Sequence, residues 1–531
     1  SGPVQPPMLG ASIASAKIHL TDEIYELQKQ LKEKLVLTQD IIKHYDLPLV
    51  LPSENHSPIF YIGLGLPRVG YNMVNRLLKE GYYTNIGIFP GVPVKCCGLR
   101  LAITNGQTKE DIKEVLAAFA YHFPKVLEEE RISVDDISLN FNMEFDNTKK
   151  CYEVKQKNAV ANNFIIQIEN SIQKIDIDLW NNLLGDEGSF DWHGCKFIEE
   201  SFKDNPEPEN NWNLTYLIIM DENDVPVLAT FFTELICKDD MISPSSVSEQ
   251  IEEIRTKNPY YLTSKVITMG SLLSEGNHLF LQRDHPKWKN ALLEMIRIMN
   301  EVKEKSNATA IHLRDIDTSD TEIRDFLIKE GFFKAPMQDT HIVENLKWNN
   351  NDEFLNTLSY RSRKHVRKFI FKTEHEFEVS FIKNSDYTFL DECYKLYLNV
   401  KKQSFVINTF DLPIKMFKNV FDDPNWEVML LKVGPLKKLG CFVFCYKSQK
   451  NNYCPVVIGL DYEYNNKFFC YRQALFQLLK RANQLMINKV YLGMDATIEK
   501  QKVGATVIPK SIYIQANNNY NMDVISLFKQ N

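Results

Sequence analysis

Two carboxylates, a phenol and a guanidinium stand close together in one short stretch of this 531-residue chain: Asp461, Glu463, Tyr471 and Arg472. Asp461 and Glu463 follow the apolar run Val456, Val457 and Ile458 and alternate with Leu460, Tyr462 and Tyr464. On a strand, the two acids would share one face and the apolar residues the other. A carboxylate so placed can take a proton or hold an ammonium group. After the polar break Asn465-Asn466-Lys467, the residues Ala474, Leu475, Leu478, Leu479 and Ala482 recur at helical spacing, which puts Tyr471 and Arg472 at a helix start. The first N–H groups of a helix are donors for a phosphate or an oxyanion. Tyr471 adds a proton donor and Arg472 a cation, so the chemistry indicated is acid and base catalysis beside an anionic group.

The elements that must position these groups run strand, loop, helix, strand, helix from Pro455 to Ala505. Gly493 closes the second strand, Lys489 to Leu492, where the chain has to turn. This order resembles the core of the GNAT acyltransferases, and the ending YLGMDATIEKQKVGA, with Gly493, Lys500 and Gly504, is similar to a pattern in Fem-type peptidoglycan-bridge transferases. The resemblance implies acyl-CoA lying across the loop, with Lys500 and Gly504 on the cofactor side; Arg472, at the helix start, is placed to hold a phosphate of the cofactor. Amide formation from a thioester would then use Asp461 or Glu463 as base or to bind the ammonium group, and Tyr471 to protonate the leaving thiolate.

Composition sets the bounds. Hydrophobic residues at 44% and charged residues at 25% describe a globular chain, and 531 residues need two to four domains. A formal net charge of −7 argues against a general DNA binder. No apolar run is long enough to span a membrane and no signal peptide begins the chain, so a cytoplasmic protein is expected. The ten cysteines show no CxxC spacing, and the histidines 193, 278, 285 and 341 fit no metal-ligand pattern, so no metal site is expected.

The first 130 residues have a different character. Helices are expected at Leu9 to Leu20 and after Thr21-Asp22, a strand in PIFYIGLG, a helix ending at Gly81, a strand in LRLAIT, and a helix over Ile112–Leu127 capped by Thr108 and Asp111. Gly63, Gly65 and Gly70 do not make a dinucleotide fingerprint, because its third Gly falls at Arg68. The phrases SGPVQPP, IGLG, GIFPGVPVKCCGLRLAIT and QTKEDIKEV resemble the C-terminal part of the α-oxoamine synthases, within the aminotransferase class I/II group of pyridoxal-phosphate enzymes. That resemblance covers about residues 1 to 127. It implies a fold-type I small domain, a homodimer through it, and a substrate carboxylate held by Arg100. The family's further Arg before the VP phrase is replaced by Ile88 or Phe89. Its Schiff-base Lys lies upstream of SGPVQPP, so pyridoxal phosphate is expected to act only in a full-length form, with these residues the back half of such an enzyme.

Beyond a charged, Asn-rich connection comes an internal repeat. The hairpin from Trp212 to Phe232 is echoed by that from Trp426 to Phe444; LTSKVITMGSLLSEG answers CPVVIGLDYEY, HPKWKNALLEMIRIMNEV answers FFCYRQALFQLLKRANQL, and ATAIHLRDI answers NKVYLGMDA. Where the second copy has Asp461 and Glu463, the first offers Ser271, Ser274 and Glu275. Between the copies lies YRSRKHVRKFIFK, whose Arg363 and Arg367 share a helical face beside Lys364 and Lys368. That face is either a solvated helix surface or an anion site for CoA phosphates, a phosphorylated donor or an anionic membrane surface.

The reading is an α/β (α+β) chain: a small pyridoxal-phosphate-type domain at 1–130, a linker at 131–171, and GNAT-like units at 172–347 and 348–531. The resemblances together imply acyl transfer from acyl-CoA to an amine, with an N-acylated long-chain amine, sphingoid- or sulfonolipid-like, as product. A condensing enzyme with a non-catalytic GNAT-like appendage and a non-enzymatic binding scaffold are the alternatives.

Overall fold

The computed structural model describes residues 6–50, 57–89, 91–93, 95–145, 164–344, 346–382, 385–403 and 407–516. The opening phrase up to Gln5 and the part of the connecting stretch at 146–163 lie outside these residues. The fold is α/β with mixed sheets. It divides into two compact units, Ser1–Ala161 with Asp325–Phe333, and Asn162–Arg324 with Lys334–Asn531.

In the first unit, β1 (Ile59–Gly65), β2 (Asn85–Gly87) and β3 (Cys97–Ala102) form an antiparallel sheet in the order β1-β3-β2. The helix expected after Thr108 runs Lys109–Glu130. It starts there because Thr108 Oγ1 accepts from Asp111 N at 3.1 Å while the Asp111 carboxylate accepts from Thr108 N at 2.7 Å, satisfying two N–H groups that no helical carbonyl can reach. Its buried face, Leu116, Phe119 and Phe123, packs with Ile62, Leu64, Met73 and Leu77 into one core.

The second unit contains the repeat. The first copy supplies β4 (Ile165–Glu169), β5 (Asn213–Met220), β6 (Pro226–Lys238), β7 (Thr263–Met269), β8 (Leu279–Leu281), β9 (Ala310–Asp317), β10 (Phe333–Pro336) and β11 (Thr340–Val343). The second supplies β12 (Phe377–Ile382), β13 (Trp426–Val433), β14 (Lys438–Lys447), β15 (Asn452–Leu460), β16 (Lys489–Tyr491), β17 (Thr506–Ile508) and β18 (Lys510–Ala516). One sheet runs β4-β5-β6-β7-β9-β18-β10 and the other β12-β13-β14-β15-β16-β11-β17. The orders match position by position, with the last strand of each copy exchanged. β18 pairs with β9 from Lys510↔Asp317 to Ala516↔Ala310, and β11 lies between β16 and β17.

Each sheet therefore takes a strand from the other copy. The core follows suit: Trp180, Tyr216 and Phe231 of the first copy share one cluster with Phe417, Phe442 and Tyr446 of the second. Asp191, fully buried, caps the helix Trp192–Ser201 through Gly194 N at 2.9 Å and accepts Tyr446 Oη from the second copy at 2.5 Å.

One local expectation is corrected. The strand through Val456 ends at Leu460, and Tyr462–Phe468 is a short helix that includes the supposed polar break. The aromatic alternation imitates a strand, but Asp461 caps the helix by accepting from Glu463 N at 3.0 Å and Tyr464 N at 3.2 Å. Phe469, at φ 63°, stops it before the long helix Cys470–Gln484 begins.

Candidate active site

β15 and β16 are parallel neighbours that pair over two residues only, Asn452↔Lys489 and Tyr453↔Val490. Pro455 has no N–H to continue the ladder, and beyond it the strands part. A cavity of about 300 Å³ opens here, walled by Val456, Val457 and Ile458 of β15 and by Leu492, Gly493 and Met494 after β16. The long helix adds Tyr471, Leu475 and Leu478, and the first copy adds Met241, Ile242 and the turn Leu272–Glu275. The wall is mainly aliphatic. Arg314 of the first copy, which also lines this cavity, bridges β9 to the turn after β7: it donates through Nη1 to Ser271 O at 2.6 Å, through Nη2 to Ser274 O at 3.3 Å and through Nε to Asp315 Oδ2 at 2.7 Å.

Glu275 of the first copy and Lys500 of the second meet on this wall. Lys500 is buried at 2% exposure and donates to Gly493 O at 2.7 Å and Met494 O at 2.6 Å. Burial pushes the Lys500 amine down to about 8, against the opposing pull of Glu275. Burial likewise pushes the Glu275 carboxyl up to about 7, with Lys500 acting to lower it. Glu275 Oε1 makes no hydrogen bond although it is buried, the state of a carboxylate ready to accept a proton. Tyr471 also lines the cavity, and burial raises its phenol well above the ordinary value, which keeps it a proton donor.

Gly493 separates the acid from the amine. A Cβ there would lie 3.7 Å from Lys500 Nζ and 3.8 Å from Glu275 Oε2, and φ is +85°. Gly493→Ala is therefore expected to cost on the order of 1–2 kcal/mol through the left-handed backbone, readable by equilibrium denaturation.

Among the described residues, the cavity wall holds Tyr471 and Lys500 but not Asp461, Glu463, Arg472 or Gly504. Asp461 is occupied as a helix cap and Glu463 is exposed. Arg472 spends its fork on Glu499, with both contacts at 2.8 Å, and stacks on Phe369 at 4.6 Å. Gly504, at φ +98°, ends the helix Thr497–Lys502. Arg363 is half-buried and Arg367 exposed, on the helix Tyr360–Val366 and the π turn Arg367–Phe371 that continues it. Ser274 and Glu275, noted only as counterparts of the second copy's acids, are on the wall itself. His278, expected only as a histidine outside any metal-ligand pattern, lies beside Ser274, and Arg314 and Asp315 were not singled out in the sequence; the signals present were a His four residues after Ser274 and an Arg-Asp pair late in a parallel strand.

In the first unit Arg100 lies exposed on β3, paired in register with Asn85 and Tyr61. No described lysine of this unit is buried. A Schiff-base lysine needs a pocket that depresses its pKa, so the described residues do not fit pyridoxal phosphate. No group of three or more potential metal ligands occurs among the described residues, and none of their helices is long and apolar enough to cross a membrane.

No family model and no curated protein matches the chain. Among solved structures it is similar to L-PGS from Bacillus licheniformis, at 10% identity over 55% of this chain and 98% of that one, with a TM-score of 0.34. It is also similar to a tandem GNAT protein from the clavulanic acid biosynthesis pathway, at 10% identity over 67% of this chain and 99% of that one, with a TM-score of 0.38. A serine palmitoyltransferase from S. paucimobilis matches at 22% identity over 24% of this chain, with a TM-score of 0.22; the chain spans 31% of its length.

Proposed function

We propose that this chain is an acyltransferase of GNAT-like type that moves an acyl group from a thioester, acyl-CoA, to an amine in the cavity between β15 and β16. One observation carries the reading: an aliphatic cavity, at the small end of the roughly 300–1,000 Å³ of ligand pockets, that ends on a half-buried acid and a buried amine of depressed basicity. The aliphatic wall suits an acyl chain. The parted strand edges leave backbone amides for an amide-bearing donor to pair with.

The roles follow from the chemistry. Glu275 takes a proton from the acceptor's ammonium group, which makes the nitrogen nucleophilic. Lys500 has a third N–H beyond the two given to Gly493 and Met494, and this can stabilise the oxyanion of the tetrahedral intermediate. Tyr471 gives the departing thiolate its proton, and the second proton of the attacking nitrogen restores the phenol. The net products are an amide, a free thiol and one proton. The finer proposal, a long-chain sphingoid- or sulfonolipid-like amine as acceptor, rests on the resemblance of residues 1 to 127.

The test is to offer the chain a panel of acyl-CoAs with short- and long-chain amines and to measure amide and free CoA together. Equal amounts of both support the reading; no CoA release with any donor overturns it. Val456→Phe, which fills the cavity from β15, is expected to move the preferred donor toward shorter chains. The ratio of kcat/KM for palmitoyl- and acetyl-CoA should fall at least about tenfold, the scale set by a few displaced methylenes.

A further inference from the structure

At and behind the cavity wall, three residues of the first copy make an arrangement that the roles above do not use. Ser274 Oγ lies 2.9 Å from His278 Nε2, and His278 Nδ1 lies 3.3 Å from Asp315 Oδ2. All three are buried, at 2%, 0% and 1% exposure, and of the three Ser274 lines the cavity. Nucleophile, base and orienting carboxylate thus stand in the order that activates a serine hydroxyl. The Nδ1 contact is long and unaligned, as such contacts often are without ligand.

The surroundings hold the three in place. Arg314 ties Asp315 to the turn through Nε and bonds the carbonyls of Ser271 and Ser274. Ser271 N donates to Ser274 Oγ at 3.0 Å. The His278 ring stacks on Phe190 at 4.5 Å between centroids and fills the space a side chain at position 270 would need: a Cβ on Gly270 would come within 2.5 Å of His278 Cδ2. Thr230 Oγ1 donates to His278 O at 2.8 Å. Burial lowers the imidazole despite the pull of Asp315, so it is neutral and able to accept a proton. Burial would raise Asp315, but Arg314 and His278 outweigh it and the carboxyl stays below its ordinary value, ionised.

We infer that Ser274, His278 and Asp315 form a catalytic triad that carries the acyl group covalently, so that transfer runs through an acyl-serine intermediate. The inference rests on the acyltransferase reading above and deepens it. In the first step Ser274 Oγ attacks the thioester carbonyl, and the C–S bond breaks as the C–O bond forms. The hydroxyl proton passes through His278 to the leaving thiolate, which departs as a thiol, so that His278 takes over the step given to Tyr471 in direct transfer. In the second step the amine, freed of one proton by Glu275, attacks the serine ester. The C–N bond forms and the C–O bond breaks, and His278 carries the nitrogen's second proton back to Ser274 Oγ. Arg314 is a positioning residue.

The experiment incubates the whole chain with lauroyl-CoA and no amine, quenches in acid, and maps the adduct by peptide mass spectrometry. A parallel sample receives a fluorophosphonate, which labels an activated serine whatever its natural donor. One acyl group and one phosphonyl group are expected on Ser274. Ser274→Ala and His278→Gln should each lower labelling at least about 10²-fold, and Ser274→Cys should recover an acyl adduct as a thioester. Asp315→Asn should slow labelling in kind and move its pH dependence. Labelling of Ser274 with no amide from any acceptor supports the triad and defeats the transferase reading. Amide formed at an unchanged rate by a folded Ser274→Ala chain, without labelling of the native one, overturns the triad and leaves that reading standing. No labelling by either probe and no amide also overturns the triad.

Discussion

Glu275→Gln is expected to lower acyl transfer by about 10²-fold or more, the usual worth of a positioned general base, with the fold intact. In the native chain kcat/KM should rise as Glu275 ionises around pH 7 and fall as Lys500 loses its proton around pH 8. The two values belong to the interacting pair and not to either group alone. In the Gln variant the acid limb should vanish, and Lys500, without its opposing charge, should titrate below about 8.

The same substitution should appear in stability. Burial lifts the Glu275 carboxyl from 4.5 to about 7, so the folded chain holds this proton more tightly than the unfolded chain does. That contribution is fully present below 4.5 and is lost as pH rises to about 7. Urea denaturation at a series of pH values should show the decline in the native chain and a shallower one in Glu275→Gln. An acid limb that survives the substitution would remove Glu275 from the role of base.

The second large effect is expected from Arg255→Met, at about 3–5 kcal/mol of lost stability, the scale for breaking a buried ion pair. Arg255 Nη2 meets Asp240 Oδ1 at 2.5 Å, and its Nη1 meets Glu252 Oε1 at 2.6 Å, with Arg255 5% and Asp240 0% exposed. Asn408 of the second copy donates to Asp240 Oδ2 and to Glu252 Oε1, both at 2.8 Å, and its backbone N bonds Met241 O at 2.9 Å. The network thereby fixes Met241, Ile242, Ile407 and Thr409, four residues of the cavity wall. Removing the guanidinium takes away the cation that bonds both carboxylates directly, leaving Lys238 and the neighbouring Lys401 to oppose them, so the loss should exceed that of Asn408→Ala. KM for the acyl donor should rise more than kcat falls, because the wall moves and the acid–base groups do not.

The acid stability of this network has the opposite sign to that of Glu275. Burial alone would raise Glu252, but Lys238, Asn408 and Arg255 bring it down to about 2. Its contribution is present above 4.5 and is lost as pH falls toward 2.

Much of the architecture follows from local rules. The capping box at Thr108 and Asp111, the hairpins of the repeat and the helix Cys470–Gln484 are set by hydrogen-bonding side chains and hydrophobic period, which act over a few residues. Such signals are present in the sequence. They misled at Asp461, where an aromatic alternation of period two was overruled by a side chain capping a helix. The repeat was legible for the same reason, since each copy carries its own pattern of periods and turns.

The site was legible only in part because its members meet through long-range contacts. Gly493 was visible as punctuation in the second copy and Lys500 through the resemblance that put it on the cofactor side, but what Lys500 faces is Glu275, brought from the first copy by the shared cavity. His278 looked like an isolated histidine because Asp315 reaches it only when β7 and β9 pair in parallel across the helix Trp288–Ser306. The exchange of β11 and β18 has no local signature: a strand's hydrogen-bonding edge is the same whichever copy's sheet it joins. By itself, then, the sequence determined the elements, the duplication and the residue types available for acid–base chemistry. Tertiary structure decided where the cleft opens and which acid faces which base, because strand exchange and burial depend on atoms hundreds of residues apart packing against one another.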